Sequence, residues 1–213
     1  MKYLLILSVM IISEFEAVNV FGATHTSSGE SESKMKLGPL FGLNDSIGKA
    51  QIQGEDASAG QVAGFQAGFE LQYSITNSLI LSPEIFYIQQ NTFVTPVSTT
   101  TLADVRFGYI EMPILIKLKF GGEGDLGRPF VFLGPSYSSR IWSDSSLESQ
   151  GVDFKPAKYD IKAIAGVGLD WSFEGRPVFA QINYSMGFVD QLTDTSNLKF
   201  NAIMFTFGTL FSL

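Results

Sequence analysis

The chain has 213 residues and a net charge of −7, from 14 Lys and Arg against 21 Asp and Glu. The absence of Cys excludes disulfides, Cys-ligated metals and a thiol nucleophile. The acidic balance argues against a nucleic-acid surface, which would need clustered positive charge. The length suits one domain behind a processed leader.

The first residues have the pattern of a secretory signal peptide. Lys2 is the charged start, residues 3–12 form a short apolar core, and Val20 and Gly22 are the small residues expected at a cleavage site. The apolar core is too short to span a bilayer as a helix, which needs about 20 residues, so we expect cleavage rather than an anchor. The predicted parts are a signal peptide at 1–22, a disordered polar lead-in at 23–33 and a β-barrel domain at 34–213.

After the leader, eight segments alternate apolar and polar residues with the period of two that β-strands require. Segment 62–75 shows this most clearly, because Phe65 and Phe69 alternate with Gln66 and Glu70. Segment 78–90 is less regular, since its polar face also carries Ile80, Phe86 and Ile88. The eight predicted strands are 34–43, 62–75, 78–90, 104–120, 129–142, 158–173, 177–189 and 198–213.

Segment 104–120 indicates that the strands cross a membrane. Its even-numbered residues from Ile110 to Leu118 are all apolar, whereas Glu111, Lys117 and Lys119 lie on the other face. A tilted strand crosses about 30 Å of hydrocarbon with about 9–11 residues, and this run is long enough. For this segment alone, a strand of a soluble barrel remains the alternative, because such strands also alternate.

Long and short connections alternate between the predicted strands. In outer-membrane barrels the short turns face the periplasm and the long loops face outside. The chain therefore favours an all-β, eight-stranded antiparallel up-and-down transmembrane β-barrel with both termini in the periplasm. We expect β-bulges, or hydrogen bonds to lumen side chains, at the four prolines inside strands, since proline cannot donate to the ladder. The alternative is that some strands are shorter than these bounds. The long connections are 44–61, 91–103, 143–157 and 190–197, the shorter ones are 76–77, 121–128 and 174–176, and the prolines are Pro39, Pro83, Pro113 and Pro135.

Several short motifs occur along the predicted strands: YIEMPILIKLKF (109–120), LSPEIFY (81–87), FLGPSY (132–137), GVGLDW (166–171) and the aromatic closing strand 200–213. In this order they resemble the motifs of the PorT-like, OmpX-like outer-membrane β-barrel family of Bacteroidetes. The resemblance covers most of the chain after Lys34, and it implies an eight-stranded outer-membrane barrel. The chain departs from the usual insertion signal because it ends in Leu213 rather than in an aromatic residue.

No residue pattern indicates catalysis, a cofactor or a metal site. The one His, His25, lies in the predicted lead-in, away from every strand. Glu84 and Glu111 could form an acid–base pair, but we favour a structural network of charges in the lumen. Arg140 is the preferred partner of Glu111, because guanidinium binds carboxylate through two bonds, and Lys162 is the second choice. The predicted network comprises Glu70, Glu84, Glu111, Lys117, Lys119, Arg140, Asp160, Lys162 and Asp170.

Two classes of function fit this barrel. One is a non-catalytic barrel with a side-chain-filled lumen, structural or adhesive, or accessory to an outer-membrane secretion system. The other is a narrow passive channel, although eight strands enclose barely more than their own side chains. A soluble lipocalin-like binder would need an apolar lumen, whereas the predicted inner face is Gly, Ser, Gln and charge. The expected partners are outer-membrane lipid and lipopolysaccharide, the insertion machinery and secretion-system components.

Overall fold

The computed structural model describes residues 34–52, 55–95, 103–121, 127–146, 156–191 and 197–213. The predicted signal peptide and lead-in, with His25, lie outside the described residues. Among the described residues, no helix is long and apolar enough to cross a membrane. The strands are β1 (Met35–Ile52), β2 (Glu55–Ser74), β3 (Leu79–Thr95), β4 (Ala103–Lys119), β5 (Arg128–Ser145), β6 (Tyr159–Phe173), β7 (Arg176–Gly187), β8 (Asn197–Thr209) and β9 (Phe211–Ser212).

The strands form a closed antiparallel barrel. Each strand from β2 to β8 pairs with its neighbour in sequence, and β1 pairs with both β2 and β8. β9 continues β8 without a change of register, because Gly208 lies opposite Leu40 and Phe211 opposite Leu37. Within the described residues the sheet therefore has eight strands and no free edge, which confirms the predicted fold class. Closure satisfies the backbone donors and acceptors that a spanning sheet cannot leave unpaired.

The strands are staggered around the barrel. Cross-strand partners followed from Tyr73 on β2 lead once around the sheet and return to β2 at Ala63, ten residues away. A stagger of this kind goes with strands tilted by about 35–45° to the barrel axis. The intermediate partners are Leu81, Ile116, Leu133, Ala165, Tyr184, Ile203 and Asp45.

The outer face of the barrel carries the apolar band that the sequence predicts. Ile114 is 54% exposed and Leu133 is 64% exposed, whereas Glu111 and Lys117, on the other face of β4, are fully buried. We call the side of the barrel with the long connections its upper side. The band has a polar edge there, because Leu43 is followed on the same face by Asp45. The predicted division of the two faces is confirmed.

A bulge in β5 places an aromatic residue at the upper edge of this band. Tyr109 pairs with Arg140 but Gly108 pairs with Trp142, so β5 has one extra residue, Ile141. The Trp142 indole nitrogen donates a hydrogen bond to the Tyr87 hydroxyl at 3.2 Å. A Cβ atom at Gly108 would collide with the Trp142 ring, so the glycine makes room for it. Aromatic residues at this height are typical of membrane interfaces.

Several strands are longer than predicted. Most of the predicted loop 44–61 belongs to β1 and β2, where only residues 53–54 lie outside the described part of the chain. β3 runs to Thr95 and β5 to Ser145. Beyond the apolar band both faces of a strand can be polar, so the alternation that marks a strand disappears while its backbone pairing continues.

The expectation of bulges at the four prolines is wrong. The register shifts lie between Ser46 and Ala50, between Val62 and Gln66, and between Gly108 and Tyr109. Proline instead interrupts the ladder without changing its register. Pro39 lies in the gap of the ladder between Gly208 and Phe211, where Leu210 separates β8 from β9, because the missing donor removes a bond on that side.

We expect Ile114→Arg to destabilise the membrane-inserted barrel by about 2–4 kcal/mol, since the site lies near the middle of the outward apolar band. Asn201→Arg is the control. Asn201 lies two residues before Ile203 on the outer face of β8, where the apolar band has ended, so the cost there should be about 0–1 kcal/mol. Urea unfolding in phospholipid vesicles measures both. Equal costs would contradict the placement of the band.

Candidate functional site

The lumen is the candidate site, and the structure divides the nine predicted network residues into groups. Glu70, Glu84 and Lys117 form what we name the Lys117 cluster. Glu111 and Lys162 form the Lys162 cluster, with Asp160 beside it. Lys119 and Asp170 form a third ion pair, which is partly exposed. Arg140 joins none of these pairs in the described part of the chain.

The Lys117 cluster joins β2, β3 and β4 around one ammonium group. The Nζ atom of Lys117 lies 2.6 Å from Glu70 Oε1 and 3.6 Å from Glu84 Oε1. The two glutamates lie opposite each other on adjacent strands, so their carboxylates share this one cation. Lys117 also donates to Gln181 Oε1 at 3.2 Å, and Glu70 Oε1 accepts from Gln72 at 2.6 Å and from Ser82 at 2.7 Å.

Three phenylalanine rings surround the Lys117 ammonium. Its Nζ atom lies 5.3 Å from the ring centroid of Phe130, 5.6 Å from that of Phe132 and 5.2 Å from that of Phe179. A desolvated ammonium over ring faces gains about 2 kcal/mol or more from each good contact. Sequence reasoning missed these rings as site residues, although Phe130 and Phe132 occupy the same face of β5 as Ser136.

Two glycines on β6 make the aromatic contacts possible. A Cβ atom at Gly166 would collide with the Phe132 ring, and one at Gly168 would collide with the Phe130 ring. These glycines belong to the GVGLDW motif of the predicted sixth strand. The motif therefore shapes the lumen by leaving room for the rings that pack against Lys117.

In the Lys162 cluster, Glu111 is fully satisfied. Lys162 Nζ lies 2.6 Å from Glu111 Oε2, and the hydroxyl groups of Ser136 and Ser138 each donate to Glu111 at 3.0 Å. Lys162 Nζ also lies 5.4 Å from the centroid of the Tyr109 ring. Both carboxylate oxygens of Glu111 therefore have partners.

The preferred choice of Arg140 as partner of Glu111 is wrong, and the second choice, Lys162, is the partner. The register explains the difference, because Glu111 lies opposite Ser138, whereas Arg140 lies opposite Tyr109, farther along the strand. Lys162 lies opposite Ser136, whose hydroxyl already bonds Glu111. The Nη1 atom of Arg140 is buried and has no hydrogen-bond partner among the described residues.

The first residues after β7, 188–191, fold into the mouth of the lumen. Asp160 Oδ1 accepts a hydrogen bond from the Val189 backbone at 3.1 Å, so this acid binds the connection. The Tyr109 hydroxyl donates to Gln191 Oε1 at 2.8 Å, and the Gln191 carbonyl accepts from Ala157 at 2.8 Å. Gln191 is fully buried. Nothing in its sequence context distinguished it from the other polar loop residues.

An apolar layer lies between the two charge clusters. Leu115 lies between Glu111 and Lys117 on the inner face of β4 and is buried. The expectation that the inner face is only Gly, Ser, Gln and charge is therefore wrong. The irregular face of the predicted third strand was the signal, since Phe86 points inward. We use the name apolar layer for five members of the buried apolar cluster that point into the lumen: Leu40, Phe86, Leu115, Ile164 and Met204.

The charged side chains of the lumen fall into separate ion-paired groups. Glu84 and Glu111, the conceivable acid–base pair, belong to different clusters. Among the described residues, no group of three or more His, Cys, Asp or Glu side chains is arranged to hold a metal ion. What the lumen brings together are buried ion pairs, which are costly unless every charge is matched.

The sequence matches the family model described as an outer membrane protein beta-barrel domain over residues 26–192. The match covers most of the chain, which therefore belongs to this family of outer-membrane β-barrel proteins. A comparison with curated proteins finds no match.

A comparison with solved structures finds outer-membrane proteins. The outer membrane protein OprG of Pseudomonas aeruginosa superposes with a TM-score of 0.61 at 13% identity, covering 87% of this chain and 99% of that one. Neisserial surface protein A gives a TM-score of 0.47 at 15% identity, covering 86% and 100%. Ail of Yersinia pestis gives 0.44 at 14% identity, covering 84% and 99%. The likeness to OprG supports the fold, and the fold alone.

Proposed function

We propose that the protein is a non-catalytic outer-membrane barrel whose lumen is a structural filling rather than a passage. The observation that carries this proposal is the apolar layer between two buried charge clusters. Leu115 and Ile164 lie within it, and each is at most 3% exposed. A polar path along the lumen would have to cross this layer. The role that remains for the barrel is structural or adhesive, or accessory to a secretion system.

The long outer strand ends support an adhesive or accessory role. β1 and β2 have 18 and 20 residues, more than the 9–11 or so that a bilayer needs. The excess carries the sheet beyond the apolar band on the side of the long connections. Secretion-system components are the proposed partners there, as the resemblance to the PorT-like family implies. Outer-membrane lipid and lipopolysaccharide cover the apolar band, and the insertion machinery places the barrel in the membrane.

A narrow passive channel is the second candidate, and unsatisfied polar atoms in the lumen favour it. Glu70 Oε2, Glu84 Oε1 and Asn183 Oδ1 are buried without a hydrogen-bond partner within the described part of the protein. Buried polar atoms without protein partners commonly bind ordered water. A chain of such waters would conduct ions if it passed the apolar layer.

Conductance separates the two candidates. We expect the refolded protein in a planar lipid bilayer to show no stepwise ion current, because side chains fill the lumen and an apolar layer interrupts its polar groups. A general porin in the same bilayer serves as the positive control. Reproducible single-channel steps for the wild-type protein would overturn the structural proposal in favour of the channel. Steps that appear only after Leu115→Gly would support the apolar layer as the barrier.

The proposed orientation has the short turns and both termini in the periplasm. A protease site inserted after Ser146, where β5 has ended, should be cleaved on intact cells, because it lies on the side of the long connections. The same site inserted at Gly175, in the tight turn between β6 and β7, should be protected until the outer membrane is permeabilised. Cleavage at Gly175 alone would reverse the orientation.

A further inference from the structure

We propose that a groove on the outer wall of the barrel binds one acyl chain of an anionic glycerophospholipid, with Arg176 at its phosphate. The groove crosses β6, β7, β8 and β1 and has a volume of about 390 Å³. Its walls are aromatic and its floor is made of smaller side chains. The lining residues that matter here are Phe41, Trp171, Phe173, Val178, Phe207 and Thr209.

The shape of the groove suits a hydrocarbon chain. Phe173 and Phe207 are 62% and 51% exposed, so they rise from the barrel wall on either side of Val178 and Thr209. Its surface is almost entirely apolar, because the Thr209 hydroxyl donates back to the Pro177 carbonyl at 3.0 Å. In an outer-membrane protein this face meets lipid, so an acyl chain is the occupant that the surroundings supply.

A free cation stands at one end of the groove. Arg176 is exposed and lies two residues before Val178, on the same face of β7, and opposite Phe173 of β6. Within the part of the chain that the structure describes, no carboxylate pairs with Arg176. A guanidinium binds phosphate through two parallel hydrogen bonds. One lipid can therefore place its acyl chain in the groove and its phosphate at the Arg176 guanidinium.

A second groove on the wall provides an internal comparison. It has a volume of about 620 Å³ and includes Leu118, Val131 and Val167 in its lining. On the same face of the barrel, Phe120 and Pro129 stand beside its periplasmic end, where the first groove has Arg176. It should therefore accept acyl chains without preferring any headgroup. Arg176 lies beside the tight β6–β7 turn, so the bound lipid belongs to the periplasmic leaflet if the proposed orientation is right.

The two tryptophans of the chain allow a direct test. Trp171 lines the groove, whereas Trp142 lies at the upper edge of the apolar band. The full-length Trp142→Phe protein is refolded into phosphatidylcholine vesicles that contain rising fractions of brominated phosphatidylglycerol or brominated phosphatidylcholine. Bromine quenches a tryptophan only in close contact. The ratio of the two quenching curves thus measures headgroup preference at Trp171.

We expect phosphatidylglycerol to associate at Trp171 about fivefold more strongly than phosphatidylcholine. One cation near a membrane surface increases the affinity for an anionic lipid by about this factor. Arg176→Gln should reduce the ratio to about one. The Trp171→Phe protein, which reports from Trp142, should show a ratio of about one with or without Arg176. Val178→Phe, which fills the groove, should weaken quenching of Trp171 by both lipids, whereas Val167→Phe, in the second groove, should not.

Equal quenching of Trp171 by the two lipids, or a preference that survives Arg176→Gln, would overturn the proposal. Vesicles carry each lipid in both leaflets, and the measurement does not involve the lumen. Its outcome is therefore independent of the proposed orientation and of whether the barrel conducts.

Discussion

Lys117→Met should destabilise the refolded barrel by about 3–5 kcal/mol, or prevent refolding, because it removes the one cation shared by two buried carboxylates. Lys117 and Glu70 are fully buried, and Glu84 is 8% exposed, so water does not replace the lost ammonium. Methionine keeps the apolar length of the side chain against the three phenylalanine rings. The loss is therefore a loss of charge rather than of packing.

The measurement is urea unfolding in detergent micelles, followed by tryptophan fluorescence and by the heat-dependent gel mobility of the folded barrel. Lys119→Met is the matched control on the same face of the same strand. Its ion pair with Asp170 is less deeply buried than that of Lys117, so its cost should be clearly smaller. Adding Glu70→Gln and Glu84→Gln to Lys117→Met should restore much of the stability. Similar costs for the two lysines would show that the Lys117 cluster is not held by charge.

Glu111 and Lys162 should show strong coupling in a double-mutant cycle. Glu111→Gln and Lys162→Met should each cost about 3–5 kcal/mol, because each leaves a buried charge without its partner. The double variant should cost less than the sum, and it should be no worse than either single variant. The Ser136 and Ser138 hydroxyls, which donate to Glu111, can also donate to the oxygen of a glutamine.

Arg140→Gln is the control for this cycle. The guanidinium of Arg140 makes no ion pair with Glu111 in the described structure, so its variant should combine additively with Glu111→Gln, within about 0.5 kcal/mol. The described register would be contradicted if the stability costs of the Glu111 and Lys162 substitutions were additive while those of Glu111 and Arg140 were coupled.

Much of the fold was predictable because a membrane imposes it. The period of two on segment 104–120 separates Ile114 from Glu111 and Lys117, and the structure places these side chains on opposite faces. The alternation of long and short connections indicated an even number of strands, and the barrel has eight. These features are local and periodic, so they can be read along the chain.

The strand ends and the prolines were less predictable. Where β1 and β2 leave the apolar band, neither face must be apolar, so segment 44–61 has no alternation although its described parts, 44–52 and 55–61, remain in strands. Pro39 showed that a ladder bond would be lost, but not how the sheet would accommodate the loss. The sheet keeps its register there and interrupts the eighth strand instead.

The sequence by itself determined which residues point into the barrel, since side-chain direction follows parity on a strand. It could not determine which of those residues meet. Glu111 pairs with Lys162 rather than Arg140 because of the register of β4 on β5 and of β5 on β6. Lys117 meets Glu70 and Phe179 from strands distant in sequence. Contacts across a lumen depend on strand register and on closure of the sheet, which involve all eight strands at once, so only the tertiary structure decided them.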